Sequence, residues 1–391
     1  MPKRNDILNL PHLTISNTSG SVDLELAVKC SRKPQCIHCQ STKLRKKACN
    51  IRTIRHETFG TRRTCLKIKT HKFQCKACKR YFNEQIPGIL PYQRATERLK
   101  EQVFLQHTQG ISQKDLASNL KLGKATIERW YHQYYERHAR EKKQPLCPRY
   151  LGLDEHFFTK REGYATTFCD LEKHRIFDVV KGRSKAELKD YLNSLKGRDR
   201  VKVVCIDLSC TYRSIVKAYF PNAKIVADRF HVIRLLNQFS LQAFQLIDPE
   251  MKYKRGFLHA LRTKPENLSP ARTLKRDNYL NQNPAIAAIY DFKQTLHQIL
   301  SKKSQNHQQC KKLAPRFLNM VQQLRQSPME PLQTLGNTLY KWRDEIVRMW
   351  RFPRNNGITE GFHRKMKLIQ RRAYGFKNFE NYRLRVKVLC A

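Results

Sequence analysis

Apolar and polar positions change their rhythm several times along the chain. Residues 1 to 30 are weakly patterned and predict a loose, strand-bearing arm. A strand-like stretch rich in Arg, Thr and Ile follows between two cysteine pairs. From 95 to 137 the rhythm is helical. Ser112-Gln113-Lys114-Asp115 reads as a capping box, Leu116, Ala117 and Leu120 form an apolar stripe, Leu122-Gly123 makes a turn, and Ala125 to Tyr131 begin another helix. This is a helix-turn-helix pattern: Ala117 is small where the second helix crosses, and Ile127 and Trp130 face the core. Lys124, Ala125, Glu128, Arg129 and His132 are left on the outer face, available to bases and phosphates.

Beyond the polar linker Arg140 to Pro145 the texture becomes α/β. Strand-like runs at Tyr150 to Phe158, Tyr164 to Leu171 and Arg175 to Val180 precede a helix near Lys185 to Leu195. A buried run at Val201 to Ile206, a helix near Ser214 to Phe220 and a second buried run at Ala223 to Ala227 follow. Three meandering strands and then alternating helix and strand give the order of a ribonuclease-H-like core. The chain then turns helical and rich in Gln, Leu, Lys and His, which predicts a helical insertion. The predicted domains are therefore 1–90 (zinc-binding), 91–140 (helix-turn-helix), 148–234 (first part of the core), 235–350 (helical insertion) and 351–391 (last part of the core).

Charge changes the picture most. Lys plus Arg number 77 against 32 acids, a net charge of +45 over 391 residues. Such an excess repels itself unless a polyanion shares the surface, so DNA or RNA is the expected partner. A ribosomal or chromatin protein can carry this charge, but rarely with 40 % hydrophobic content at this length. No run of about 20 apolar residues occurs, and the N-terminus lacks the apolar core of a signal peptide, so no membrane is expected and the chain is expected to be soluble and intracellular.

Most of the thirteen cysteines lie singly in apolar strings and read as reduced core residues. Cys36-x-x-Cys39 and Cys75-x-x-Cys78 are different. Paired spacing beside basic and turn residues predicts the two knuckles of a four-cysteine structural Zn²⁺ site, across a gap longer than usual for a zinc ribbon. His38, His56, His71, Cys30, Cys49 and Cys65 are rival ligands without paired spacing.

Three carboxylates carry the candidate chemistry. Asp154 interrupts an apolar strand, where a charge is costly unless a cation holds it. Asp207 ends the run Val203 to Ile206, at the strand end where open α/β sheets place ligands. Glu360 follows the turn Asn355-Asn356-Gly357, in a segment from Arg351 with eleven Lys or Arg and one other acid, Glu380. Thr359 caps the helix, which puts Glu360 in the first turn, where the dipole favours an anion. Glu360, Arg364, Lys367 and Arg371 share one face, and Ile358, Phe362, Met366 and Ile369 another. Together the three acids could hold two Mg²⁺ about 4 Å apart, with Mn²⁺ able to substitute. Glu155, Asp170, Glu172 and Asp228 compete, Asp228 most seriously because it also ends a buried run.

These residues resemble the ISL-three family of bacterial insertion-sequence transposases over nearly the whole chain. The resemblance rests on the cysteine-rich N-terminus, the helix-turn-helix, Gly152-Leu153-Asp154-Glu155, Asp207-Leu208-Ser209-x-x-Tyr212 and Ala227-Asp228-Arg229-Phe230-His231-Val232. It is most specific in Asn356-Gly357-x-x-Glu360-Gly361 and Arg372-x-Tyr374-Gly375-Phe376-x-Asn378-Phe379. It implies a D-D-E catalytic set at Asp154, Asp207 and Glu360, with Asp228 and His231 in a neighbouring motif. Many relatives read Asn where this chain has His363. The implied activity is metal-dependent DNA strand cleavage and strand transfer by a cytoplasmic, nucleoid-associated enzyme. Its partners would be terminal inverted repeats, target DNA and further copies of itself. Lys124, Glu128, Arg129, Arg364, Lys367, Arg371 and Arg372 are the expected DNA contacts. The rival readings are a nuclease or junction-processing enzyme on the same fold, which needs no sequence-reading helices, and a non-catalytic repressor, which leaves the three carboxylates without a purpose.

Overall fold

Period-two burial organises the N-terminal sheet. The computed structural model describes residues 8–142, 146–253, 255–352 and 357–390, the side chains of residues 255 and 357–360 excepted. It divides into two units, Met1–Glu141 with Arg371–Gly375, and Lys142–Gln370 with Phe376–Ala391.

In the first unit, β1 (Leu13–Ser19), β2 (Leu24–Cys30), β3 (Leu44–Phe59) and β4 (Arg62–Cys75) form a sheet in the order β1-β2-β4-β3, and β5 (Tyr81–Asn83) pairs with β4. The N-terminal arm is thus not loose. Leu13, Leu26 and Val28 are buried against Ile54, Leu66 and Ile68. The pattern was weak because β1 buries only Leu13 and exposes its second half. The β3–β4 hairpin closes from Phe59 to Arg62 around Gly60, whose φ of 62° suits glycine.

Three helices follow: α1 (Glu97–Thr108), α2 (Gln113–Leu120) and α3 (Lys124–Glu141). Ser112 caps α2 by accepting the Asp115 N–H. The residue that ends α2 in the left-handed region is Lys121, at φ 46°, and not Gly123. Gly123 instead offers its carbonyl to the N–H groups of Thr126 and Ile127 at the start of α3. Leu116, Ala117, Leu120, Ile127 and Trp130 are buried, as the helix-turn-helix pattern requires.

The second unit holds β6 (Tyr150–Thr159), β7 (Gly163–Asp170), β8 (Arg175–Lys181), β9 (Val203–Ile206) and β10 (Lys224–Ala227) in the order β10-β9-β6-β7-β8. β6, β7 and β8 are an antiparallel meander, and β9 and β10 add in parallel beyond β6. α4 (Lys185–Ser194) and α5 (Cys210–Tyr219) make the crossovers. This is a ribonuclease-H-like core. Its helical insertion contains α6 (Arg229–Ile247), α7 (Arg255–Arg262), α8 (Pro270–Gln282), α9 (Pro284–Ser301), α10 (His307–Arg325), α11 (Glu330–Lys341) and α12 (Arg343–Arg351). The chain returns through α13 (Gly357–Arg372) and α14 (Phe379–Leu389).

Each sheet face has its own apolar cover. Leu151, Leu153, Val204 and Ile206 belong to a core with Leu188, Ile215, Leu339 and Trp350. Phe158, Ala165 and Cys205 pack instead with Met366, Ile369, Tyr382 and Val386 from the last two helices. Two arginines brace the helical insertion, one partly buried on the core helix α5 and one buried at the start of α6. Arg213 of α5 pairs with Glu345 at 2.7 Å while its guanidinium lies 3.7 Å from the Trp342 ring centre. Arg229 donates to the carbonyls of Leu300, Lys302 and Met349.

Candidate active site and candidate metal centre

The parallel strands bring three acids to one edge through a shared register. Gly152 of β6 is opposite Cys205 of β9, which is opposite Val226 of β10. Asp154, Asp207 and Asp228 each stand two residues further along. The three carboxylates therefore share one level at the C-terminal ends of β9 and β10 and beside them on β6, and Asp228 N–H donates to the Ile206 carbonyl at 2.7 Å. Asp228 is 2 % exposed and opens α6, whose position the Arg229 contacts fix.

Burial governs the electrostatics at this edge, and crowded negative charge adds to it. Burial, then the charge of Asp207, pushes the Asp154 carboxyl up to about 7. Burial pushes Asp207 up to about 6, against the pull of His231 and reinforced by Glu155 and Asp228. Asp154 Oδ1 accepts the Glu155 N–H at 2.8 Å, whereas Asp207 Oδ1 is buried with no hydrogen-bond partner among the described residues. Two imidazoles flank the acids: His231 Nε2 lies 3.7 Å from Asp228 Oδ2, and His363 Nδ1 lies 3.8 Å from Asp154 Oδ2. Glu155 is drawn away towards Arg183, at 3.5 Å. Buried carboxylates with an orphaned oxygen suit a divalent cation, which relieves mutual repulsion and fills the empty coordination. Among the described residues, no three of these donor atoms lie within 4.8 Å of one another.

Glu360 lies in the first turn of α13, as expected, although the helix begins at Gly357, so that Thr359 falls within it and is not its cap; the Glu360 side chain is outside the described residues. The side chain of His363, one turn later, is described, and it reaches a relay that sequence reasoning missed. His363 Nε2 is 3.4 Å from Thr167 Oγ1, the residue opposite Asp154 on β7. Thr167 Oγ1 is 3.1 Å from His156 Nδ1, and His156 Nε2 is 3.0 Å from the buried Tyr382 hydroxyl. Burial, with His363 and Lys367 nearby, holds His156 down to about 3, so it stays neutral. The only sequence signal was period: His156 is two positions beyond Asp154 on the same strand face. Tyr212 closes the opposite side by a 3.0 Å contact between its hydroxyl and Thr166 Oγ1. Arg364, Lys367, Arg371 and Arg372 are exposed along α13, with Arg371 and Arg372 grouped in the first unit. On α3, Lys124 and Arg129 are exposed, while Glu128 is engaged: Gln113 Nε2 donates to its Oε2 at 3.3 Å and to the Lys124 carbonyl at 2.9 Å.

The second centre is the cysteine cluster. Leu44 pairs with Cys75 at the open end of the β3–β4 hairpin, which brings the first knuckle beside the second. The long gap between the pairs is the hairpin itself. The knuckles repeat one design. Cys36 and Cys75 each donate their N–H five residues ahead, to Ser41 and Arg80, and each knuckle passes through a left-handed residue four positions after its first cysteine, Gln40 and Lys79. Cys36 Sγ is 3.6 Å from Cys78 Sγ, Cys39 Sγ is 3.6 Å from Cys75 Sγ, and all four sulfurs lie within 4.8 Å of one another. Tetrahedral Zn²⁺ with sulfur at about 2.3 Å needs sulfurs about 3.8 Å apart, so the cluster fits that ion. The N–H of Cys78 chiefly draws the Cys75 thiol down to about 6, towards the thiolate a metal binds.

Comparison with known proteins supplies independent findings. A family model described as "Transposase", of the ISL3 DDE type, matches residues 151–386. Another, described as "Helix-turn-helix domain of transposase family ISL3", matches residues 84–135. The chain is also similar to the transposase for insertion sequence element IS1001 of Bordetella parapertussis. Identity is 25 % over 347 residues, 86 % of this chain and 84 % of the relative. Among the described residues, no helix is long and apolar enough to cross a membrane.

Proposed function

The chain belongs to the ISL3 family of transposases, and from that premise we propose that Asp154, Asp207 and Glu360 form its catalytic carboxylate set. The enzyme cleaves and joins DNA strands, uses a divalent metal and binds DNA through its helix-turn-helix domain. Our finer reading is that the metal is Mg²⁺, two ions held by the three acids, with Mn²⁺ as a substitute. One observation carries the assignment: Asp154 and Asp207 stand at one level on neighbouring parallel strands, both held above the ordinary carboxylate range. Asp228, with His231 beside it, supports the site as a neighbour and orients the edge of the sheet.

When bound, the ions supply Lewis-acid stabilisation of both the attacking and the leaving oxygen of an in-line phosphoryl transfer. The protein's own residues do the rest. The acids hold the ions, His363 orients Asp154, and Arg364, Lys367, Arg371 and Arg372 bind the phosphate backbone. Lys124, Glu128 and Arg129 belong to the helix that reads terminal inverted repeats, with Glu128 setting the helix through Gln113. Cys36, Cys39, Cys75 and Cys78 hold a structural Zn²⁺. The domains follow the division 1–90, 91–140, 148–234, 235–350 and 351–391. The active form is a homo-oligomer on DNA, because two element ends must be joined, and it works in the cytoplasm on the nucleoid.

The test is a strand-cleavage and strand-transfer assay on the DNA flanking the gene, with Mg²⁺ or Mn²⁺. Cleavage at inverted repeats followed by joining of the freed 3′ ends to target DNA supports the reading. Cleavage without end specificity or joining points to a nuclease and contradicts it.

A further inference from the structure

A second candidate site lies in the first unit, between the first cysteine knuckle, whose Ile37 and His38 line it, and the segment that leads into α1. A groove of about 1100 Å³ runs along the β3–β4 hairpin and under the segment that joins β5 to α1. Among the described residues its walls carry Lys72, Arg94 and Arg52, whose Nη2 also donates to the Gln93 carbonyl at 2.8 Å, against a single acid, Glu84, and that carboxylate is bonded to His71 at 2.9 Å. The groove is therefore net positive, as a phosphate-bearing strand requires.

Two tyrosines mark what kind of strand. Tyr92 is 90 % exposed and sits at φ 60°, in the left-handed region that non-glycine residues reach only at a cost of about 1 kcal/mol or more. That conformation belongs to the turn Leu90 to Gln93, which the Gln93 N–H closes on the Leu90 carbonyl at 3.2 Å, and the turn holds the ring out in solvent. Tyr81 is half-exposed on β5, with the ammonium groups of Lys47 and Lys72 5.9 and 5.6 Å from its ring centre. Exposed aromatic faces beside cations suit unpaired bases, because a duplex keeps its base faces stacked inside. Asn50, Asn83 and Gln85 add amides, able to bond the base edges that only an unpaired strand presents.

We propose that this groove binds single-stranded DNA, with Tyr81 and Tyr92 as stacking platforms and Arg52, Lys72 and Arg94 as phosphate contacts. The inference concerns binding alone and holds independently of which carboxylates cut the DNA. Strand cleavage leaves free ends whose strands can part, and such an end is the source of the unpaired segment.

The test uses the full-length protein with its zinc content verified. Fluorescence anisotropy reports affinity for a labelled oligothymidine and for a labelled duplex element end. Tyr81→Ala/Tyr92→Ala should weaken oligothymidine binding by about tenfold or more while leaving duplex affinity within about twofold, as loss of base stacking predicts. Tyr81→Phe/Tyr92→Phe keeps the rings and should restore binding. Unchanged oligothymidine affinity in the alanine variant overturns the proposal. So does an equal loss on both DNAs, which makes the groove a duplex contact, or a failure of phenylalanine to restore binding.

Discussion

Asp154 and Asp207 each stand two residues past a directly paired position, Gly152 opposite Cys205, on neighbouring parallel strands. Burial keeps both carboxyls above their usual range, at about 7 for Asp154, with the charge of Asp207 adding, and at about 6 for Asp207, with Glu155 and Asp228 adding. A group whose folded pKa is raised stabilises the fold below its unfolded pKa and loses that contribution as pH rises through the folded value. For Asp154 that window runs from about 4 to about 7. Metal-free protein should lose stability across it, and added divalent cation should restore the loss. Asp154→Asn should flatten the dependence and raise the metal-free Tm at pH 7.5 by a few degrees, since about 1 kcal/mol moves Tm by roughly 2–4 °C in a large domain. Calorimetry at several pH values checks both. A lower Tm for the variant would mean that the carboxylate is satisfied without metal.

His363 couples the helix that bears Glu360 to the strand that bears Asp154. Its Nδ1 lies 3.8 Å from the carboxylate, and its Nε2 lies 3.4 Å from Thr167. His363→Ala should weaken metal activation by about 10- to 100-fold, the usual size for residues that orient metal ligands. His363→Asn, whose amide nitrogen reaches the place of Nδ1, should retain most activity, whereas His363→Gln, which mimics Nε2, should not. The metal concentration for half-maximal cleavage is the readout. Equal behaviour of the three variants would remove the orienting role.

The cysteine cluster predicts a folding dependence. With zinc bound, the hairpin's open end is closed by four thiolates, and metal free energy is folding free energy in such sites. A strong chelator should unfold the N-terminal sheet while the second unit keeps its structure, and Cys75→Ser should reproduce the effect. Metal analysis and hydrogen exchange over 8–90 measure it. Retained protection in zinc-free protein would show the cluster to be dispensable.

Arg383 of α14 donates two 2.8 Å bonds to Asp178 of β8, and Lys387 adds a third contact at 3.2 Å. Asp178 is 6 % exposed, and although burial raises its carboxyl, Arg383 and Lys387 bring it below the usual range. Asp178→Asn leaves the half-buried Arg383 guanidinium with only the exposed Glu380 carboxylate, at 3.3 Å, as counter-charge and should destabilise the second unit by about 3 kcal/mol. A folded Asp178→Asn protein within about 1 kcal/mol of wild type in urea unfolding would contradict this.

The core was legible where strands are buried on both faces. Val203 to Ile206 and Lys224 to Ala227 appear as apolar runs, and each ends in an aspartate. The zinc pairs were legible from spacing alone, although only the 16- and 14-residue strands of the hairpin explain the gap between them. α14 was not legible, because Arg383, Arg385 and Lys387 dilute its apolar stripe and two of them, Arg383 and Lys387, are spent on Asp178. The N-terminal arm was read as strand-bearing but loose because its edge strand β1, with one buried residue, has almost no period. The relay from Asp154 through His363, Thr167 and His156 to Tyr382 joins four elements, β6, β7, α13 and α14, and no local pattern encodes it.

The most direct test of the account is cleavage of a labelled terminal-repeat duplex, with binding measured on the same DNA, by wild type, Asp207→Asn and Glu360→Gln. Both substitutions keep shape and hydrogen bonding while removing an anionic ligand. The account predicts unchanged DNA affinity and loss of both cleavage and strand transfer in each variant. Normal cleavage by either variant, or loss only when Asp228 is replaced, would contradict the assignment of Asp154, Asp207 and Glu360.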